Sequence, residues 1–331
     1  MNFFLKFFRI LPPELAHRFA LDSLNFIHKI GILNLFFKKP KTETFSFLGM
    51  DFSNRLGTAA GLDKNGDYMD CLGELGFGFL EVGTITPLAQ DGNPKPRVFR
   101  NFQDKSIINR LGFNNKGVDH LVKNLKSRSY KGIVGVNIGA NKKSEGEQRI
   151  KDYLLCIEKL YKYADYITVN ISSPNTPNLR DLHNANNLSN LLLSIENKAK
   201  ELKTDIPFLL KISPDETNES IENIIQAVEV SFFKGIIATN TTIDKTNLTN
   251  KKYKEIEGGL SGKPLMNRSN DKIKFIKSKS NGEIPVIGVG GVMNAEDFNK
   301  KIEAGSELVQ IYTGFVIKGP NILNEILDKY D

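Results

Sequence analysis

From Arg55 onward the chain alternates short, continuously apolar runs with longer stretches in which apolar residues recur at helical spacing. The apolar runs fall at 57–60, 79–82, 133–138, 167–170, 208–211, 235–239, 286–289 and 308–311. They are apolar throughout rather than every second residue, the pattern of strands buried on both faces in a parallel sheet. Helical stretches at 147–163, 186–202, 217–230 and 295–304 supply crossovers between them. Eight such units over about 275 residues predict an α/β fold, a (β/α)8 TIM barrel; a doubly wound sheet with fewer strands is the alternative. Residues 45–52 read as a small strand pair beneath the barrel. Two connections are long, 83–132 and 240–283, and insertions of that length on the C-terminal face of a barrel usually build the active site.

Residues 1–41 read differently, as an N-terminal amphipathic helical extension ahead of a catalytic body at 42–331. Pro13 suits a first helical position and Gly31 a stop, so a helix is expected between them. At 100° per residue Leu15, Phe19, Phe26 and Ile30 share one side, with Ala16, Ala20 and Ile27 beside them. Glu14, His17, Arg18, Asn25, His28 and Lys29 occupy the opposite arc, and Leu21 is the exception. A short apolar stretch, Ile32 to Phe37, then runs into Lys38, Lys39, Pro40 and Lys41.

Composition narrows the class. With 331 residues, 40% hydrophobic and 25% charged, the chain is neither disordered, collagen-like nor a coiled coil. Two cysteines, Cys71 and Cys156, exclude a disulfide scaffold. The net charge of +7 is concentrated at one end: residues 1–41 hold Lys6, Arg9, Arg18, Lys29, Lys38, Lys39 and Lys41 against Glu14 and Asp22. The same segment holds Phe3, Phe4, Phe7, Phe8, Phe19, Phe26, Phe36 and Phe37 of the 22 phenylalanines. No apolar run approaches the ~20 residues that span a bilayer, and charges with Pro12-Pro13 interrupt any signal-peptide core. Three readings stand: a helix packed on the body with its charges in water, an interfacial helix pair with its aromatic face in the membrane surface, and a nucleic-acid arm, which so much Phe disfavours.

Polar residues stand where the apolar runs stop. Lys64 follows Ala60-Gly61-Leu62-Asp63, Thr84 follows Gly83, and Asn137 closes the third run; Asn170 precedes Ser172, Ser173 and Asn175; Lys211 closes the fifth run, and Thr239, Asn240 and Thr241 follow the sixth. Six consecutive ends of this kind exceed what turn capping needs, and polar groups converging on a barrel mouth suit a polar, planar ligand. Lysine is seldom buried unpaired, so Lys64 and Lys211 either reach solvent or neutralise an anion. Gly288-Val289-Gly290-Gly291 and Tyr312-Thr313-Gly314 after the last two runs predict a phosphate site of backbone N–H groups. The G-x-G-x-x-G spacing fails after Gly291, so this is no dinucleotide fingerprint. No carboxylate pair is placed for glycosidase chemistry. His17, His28, His120 and His183 form no cluster, and no protein-ligated metal is expected. A barrel lyase or isomerase with a Schiff-base lysine and a non-catalytic membrane-surface adaptor are the competing functions.

Five segments, in order, carry a resemblance: Ala60-Gly61-Leu62-Asp63-Lys64, Asn109-Arg110-Leu111-Gly112-Phe113-Asn114-Asn115, Asn170-Ile171-Ser172-Ser173-Pro174-Asn175-Thr176, Gly259-Leu260-Ser261-Gly262 and Gly288-Val289-Gly290-Gly291. Through nearly its whole length the chain resembles the dihydroorotate dehydrogenases, specifically the quinone-dependent, membrane-associated class. The resemblance implies one FMN, held by Ala60, Gly61, Leu62, Asp63, Lys64, Thr84, Asn137, Asn170, Lys211, Thr239, Gly262, Gly291, Tyr312 and Thr313. It implies dihydroorotate or orotate contacts from Lys64, Asn109, Arg110, Leu111, Gly112, Phe113, Asn170, Asn175, Asn240 and Thr241. Ser173 is the implied catalytic base, taking the C5 proton while C6 delivers hydride to flavin N5, with Thr176 and Phe113 framing a proton path through water. The family's soluble classes carry Cys at that position; Ser172 is the neighbouring alternative, and Ser173 matches the family's register.

These implied roles suit the residues. Asn can meet both donors and acceptors of orotate, Lys64 its carboxylate, and Lys211 the negative charge of a reduced flavin. Cys71 and Cys156 read as core helix residues. The quinone class also carries an added helical pair, which favours the membrane reading of residues 1–41, with a membrane quinone as final acceptor and Arg97 a candidate for holding it. The implied setting is de novo pyrimidine (UMP) biosynthesis by a monomer, peripheral to the cytoplasmic side of a bacterial inner membrane, with no nucleic-acid partner.

Overall fold

The protein is described by a computed structural model that covers residues 10–175 and 185–329. Thr176, His183 and the four phenylalanines at 3, 4, 7 and 8 lie outside these described residues. Eight parallel strands, Leu56–Thr58, Phe79–Ile85, Ile133–Ile138, Tyr166–Asn170, Phe208–Ile212, Gly235–Ala238, Val286–Val289 and Leu308–Ile311, close into a barrel in chain order. The last pairs with the first, Ile311 opposite Thr58. Each is one of the expected runs, its ends shifted by a few residues at most, and the doubly wound alternative is excluded by closure. Helices including Val118–Ser127, Gly146–Leu160, Ala185–Leu202, Asn218–Glu229, Met266–Lys279 and Ala295–Glu303 form the outer layer.

The runs are continuously apolar because successive residues enter two different cores. Leu80, Ile167, Phe208, Leu210, Ile236, Val286 and Val309 pack outward against the helices. Their neighbours Phe79, Tyr166, Leu209, Ile237, Ile287 and Leu308 fill the barrel interior. The expected strand pair, Phe45–Phe47 with Met50–Phe52, plugs the bottom of that interior: Phe52 meets Phe79 edge-on at 5.2 Å. Two residues further along each strand, the same inward parity places Glu81, Thr168, Lys211 and Gln310 in a buried polar layer above the apolar one.

The two long connections cross the mouth and pair with each other. Val98–Asn101 and Ser106–Asn109 from one, and Gly259–Gly262 from the other, form a three-stranded antiparallel sheet with Leu260 opposite Ile108. Short strands in loops this rich in polar residues give a weak sequence signal, and they were not anticipated.

The Pro13–Lys29 helix is present and buries Ala16, Leu21 and Leu24 against the body, with Ile27 packed beside them. It packs on the Met69–Glu74 helix and on Val98–Asn101, and several side chains of its polar arc also bond inward. Glu14 accepts from Arg97 Nη2 at 2.8 Å, His17 Nε2 lies 2.9 Å from the Leu62 carbonyl, Asp22 accepts from the Tyr68 hydroxyl at 2.7 Å, and His28 pairs with Glu74. The apolar arc faces outward, with Phe19 53%, Phe26 63% and Ile30 51% exposed, and Leu35 and Phe36 of the next turn, Leu33–Phe36, extend it. Leu21, the exception to the pattern, is buried at 2% exposure, together with Ala16 and Leu24. The helix lies on the body with Arg18, Asp22 and Lys29 exposed, while Glu14, His17 and His28 bond inward. Among the described residues no helix is long and apolar enough to cross a membrane.

Candidate active site

The C-terminal ends of the strands open into one mouth. Of the residues expected to meet a ligand, all but Leu62, Asp63, Arg110 and Asn137 line it, Ser173 included. These four stand close behind. Asp63, buried, accepts from the backbone N–H groups of Asp67 at 3.0 Å and Tyr68 at 2.8 Å, while burial pushes its carboxyl up to about 6. It thus shapes the turn that aims Lys64. The Leu62 carbonyl faces His17. The Arg110 side chain turns away, donating to the Pro96 carbonyl at 3.1 Å. Asn137 lies one step deeper, accepting from Thr84 Oγ1 at 2.6 Å and from Asn170 Nδ2 at 3.1 Å.

Lys64 reaches into the mouth and donates to Asn114 Oδ1 at 2.5 Å. Burial first, and the Arg97 charge second, hold its ammonium down to about 7. The adjacent serines do different work. Ser172 is locked, donating Oγ–H to Asn170 Oδ1 at 3.0 Å and accepting from Asn240 Nδ2 at 3.0 Å. Ser173 lines the mouth, its Oγ accepting the Asn175 backbone N–H at 3.2 Å. The loop carrying Asn109 to Phe113 is clamped from behind by Gln90, whose Nε2 donates to the carbonyls of Gly112 at 3.2 Å and Phe113 at 3.0 Å. Its Oε1 accepts from Asn141 Nδ2 and the Lys142 N–H, both at 2.9 Å. Gln90 is the residue that sequence reasoning misses, because a clamp inside a long loop has no pattern of its own.

The far side of the mouth is bare backbone. Gly291 has φ +87°, and a Cβ there would fall 2.4 Å from Met266 Cα; at Gly262, φ +98°, a Cβ would fall 2.3 Å from the Lys105 carbonyl. Such positions leave N–H groups open to a phosphate. Lys211, inside the mouth, is a buried lysine with no hydrogen bond among the described residues and Glu81 Oε1 at 3.9 Å. An anion cradle, a wall of amides and a buried cation fit a flavin mononucleotide, the glycines at its phosphate and Lys211 at its ring.

A second cleft runs between the Pro13–Lys29 helix and the barrel, lined by Glu14, His17, Arg18, Tyr68 and Arg100 among others. Gly61, Lys64, Leu111 and Tyr312 line both spaces, so a single layer of residues separates them. His17 stacks on Tyr312 with ring centroids 6.4 Å apart, and burial drives its imidazole down to about 4, so it is neutral at ordinary pH. Arg97 does not line the cleft; its guanidinium is engaged by Glu14 and by the carbonyls of Asp91 and Asn93.

Fold and mouth together define a (β/α)8 barrel with a polar, glycine-rich mouth beneath a two-connection cap. A family model for dihydroorotate dehydrogenase matches residues 43–331. A protein named dihydroorotate dehydrogenase (quinone) from Marinobacter nauticus is 47% identical over 322 residues, covering 96% of this chain and 95% of the relative. One of the same name from Buchnera aphidicola is 46% identical and covers 97% of both chains. A crystal structure of DHODH from Eimeria tenella in complex with ferulenol superposes with a TM-score of 0.87 at 32% identity, over 96% of this chain and 90% of that one. The chain belongs to the dihydroorotate dehydrogenase family and, with these relatives, to its quinone class.

Proposed function

We propose that the protein oxidises dihydroorotate to orotate, with FMN as first electron acceptor and a membrane quinone as the last, in pyrimidine biosynthesis. The observation that carries this reading is the convergence of Ser173, Lys64, Lys211 and the amides of Asn109, Asn170, Asn175 and Asn240 on one mouth. Flavin, when bound, supplies a two-electron acceptor at a site where protein side chains have none. Lys64 neutralises the substrate carboxylate, and the asparagines meet the amide edges of the ring. Ser173 Oγ removes the C5 proton; Ser172, held between Asn170 and Asn240, keeps the Asn240 amide turned toward the mouth. The capping sheet excludes water from this chemistry.

The cleft under the Pro13–Lys29 helix is the quinone site of this reading, because it meets the mouth across Tyr312 and is walled by the helix that carries the exposed Phe19 and Phe26. The outward aromatic arc, with Lys38, Lys39 and Lys41 beside it, rests on an anionic membrane surface, so residues 1–41 act as the docking segment of a peripheral enzyme on the cytoplasmic face of the inner membrane. An anaerobic titration with dihydroorotate and then a quinone, followed by the flavin spectrum, tests the whole sequence. Bleaching by dihydroorotate and recovery by quinone are expected; a spectrum unmoved by dihydroorotate rules the reading out.

A further inference from the structure

Glu81 is a buried charge for which substrate binding has no use. It sits at zero exposure in the polar layer below the mouth. Its Oε2 accepts from the Tyr166 hydroxyl at 3.0 Å, Thr168 Oγ1 at 3.2 Å and Gln310 Nε2 at 2.7 Å, and its Oε1 from Asn137 Nδ2 at 2.9 Å. Four neutral donors therefore converge on this one carboxylate. Lys211 Nζ, 3.9 Å from Oε1, is its one ion-pair partner among the described residues. Lys211 lines the mouth and Glu81 does not, and the only other charged side chain on that wall is Lys64.

We propose that Glu81 is a positioning residue that holds Lys211 as a cation at the wall of the mouth and, through it, raises the reduction potential of the flavin bound there. This rests on the flavin reading of the mouth. A lysine stripped of water with no counter-ion loses its proton. Burial lowers Lys211, and Glu81 is what opposes that fall. Two-electron reduction places negative charge on a flavin, which a nearby cation stabilises and a nearby anion disfavours. The two members of the pair therefore push the potential in opposite directions, and the sign of the change on removing Glu81 shows which effect governs. If Glu81 acts only as a charge, neutralising it raises the potential. If it acts by keeping Lys211 protonated, neutralising it removes the nearer cation and lowers the potential.

The test is spectroelectrochemical titration of the flavin in the full-length holoenzyme, comparing wild type with Glu81→Gln, Lys211→Met and the double variant at one pH. The expected result for Glu81→Gln is a tenfold or greater shift of the oxidised-to-reduced balance toward oxidised, about 30 mV for a two-electron couple. Lys211→Met should fall at least as far, and the double variant no further than Lys211→Met. An unchanged or raised potential in Glu81→Gln overturns the proposal. Lys211→Met leaves all four hydrogen bonds to Glu81 in place, so it reports even where Glu81→Gln does not fold; an unchanged potential there also overturns it. Wild type that retains no flavin overturns the flavin reading and this inference with it, whereas a flavin whose potential ignores both residues overturns only this inference.

Discussion

Arg97 donates to Glu14 from Nη2 at 2.8 Å and from Nε at 3.1 Å, bridging 83 positions of sequence between the N-terminal helix and the first cap strand. Arg97 is nearly buried and also holds the Asn93 carbonyl at 2.8 Å, so the helix is fastened to the same loop that backs the substrate site. Glu14→Ala leaves that guanidinium without its carboxylate and should destabilise the docked helix by about 1–3 kcal/mol. Quinone reduction should fall, while reduction of the flavin by dihydroorotate stays within a factor of a few. Stopped-flow measurement of the two half-reactions checks this, and equal losses in both would mean that the pair supports the barrel rather than the cleft.

Ser173→Ala should slow anaerobic flavin reduction by roughly 10²–10⁴, the scale of a lost positioned base. Ser172→Ala loosens Asn240 instead and should appear mainly as a raised KM. A wild-type reduction rate in Ser173→Ala would move the base elsewhere.

Lys64 holds a carboxylate only as a cation, and its ammonium is held down to about 7 against an ordinary 10.5. Orotate affinity should therefore be level in acid and weaken about tenfold per pH unit above neutrality. Titrating the flavin spectrum with orotate across this range shows it, and Lys64→Met should be weak and level throughout. The stability linkage has the opposite direction. Between about 7 and 10.5 the unfolded chain keeps a proton that the fold has released, so this group makes folding more favourable as pH rises through that window.

Gln90→Glu retains the acceptor for Asn141 and Lys142 but turns a carboxylate toward the carbonyls of Gly112 and Phe113. Loss of two hydrogen bonds of about 1 kcal/mol each should raise the dihydroorotate KM roughly tenfold or more with kcat little changed. A fall in kcat at constant KM would tie Gln90 to the chemistry instead of the loop.

Phe19→Ser combined with Phe26→Ser removes two rings that are more than half exposed. Binding to anionic lipid vesicles should weaken at least tenfold, since each buried aromatic contributes about 1.5–3 kcal/mol. Reduction of the flavin by dihydroorotate should not change. Undiminished vesicle binding would remove the outward arc as the docking surface.

Periodicity located the barrel because both faces of every strand are buried, and that leaves an apolar run no loop or surface helix imitates. The same parity also marks the polar layer in retrospect: Glu81 follows Phe79 by two positions, as Lys211 follows Leu209 and Gln310 follows Leu308. Lys64, Ser173 and Asn170 were legible because they stand where strands end. Leu62, Asp63, Arg110 and Asn137 share those segments but stand behind the mouth, because side-chain direction within a turn depends on backbone geometry that neighbouring segments impose.

The sequence by itself determined that eight buried strands form, where each stops, and that a Phe-rich, basic segment containing a helix precedes them. These are local properties, written in residues a few positions apart. Only the tertiary structure decided which side of that segment's helix meets the body, because Ala16, Leu21 and Leu24 are buried there while Leu62, Tyr68, Glu74 and Arg97 take up polar side chains of the helix, which leaves Phe19 and Phe26 outward. It alone also decided that Gln90 clamps a loop over 20 residues away and that Glu81 meets Lys211 inside a closed barrel. Such pairings depend on strand closure bringing distant residues together, a constraint that no short stretch of sequence contains.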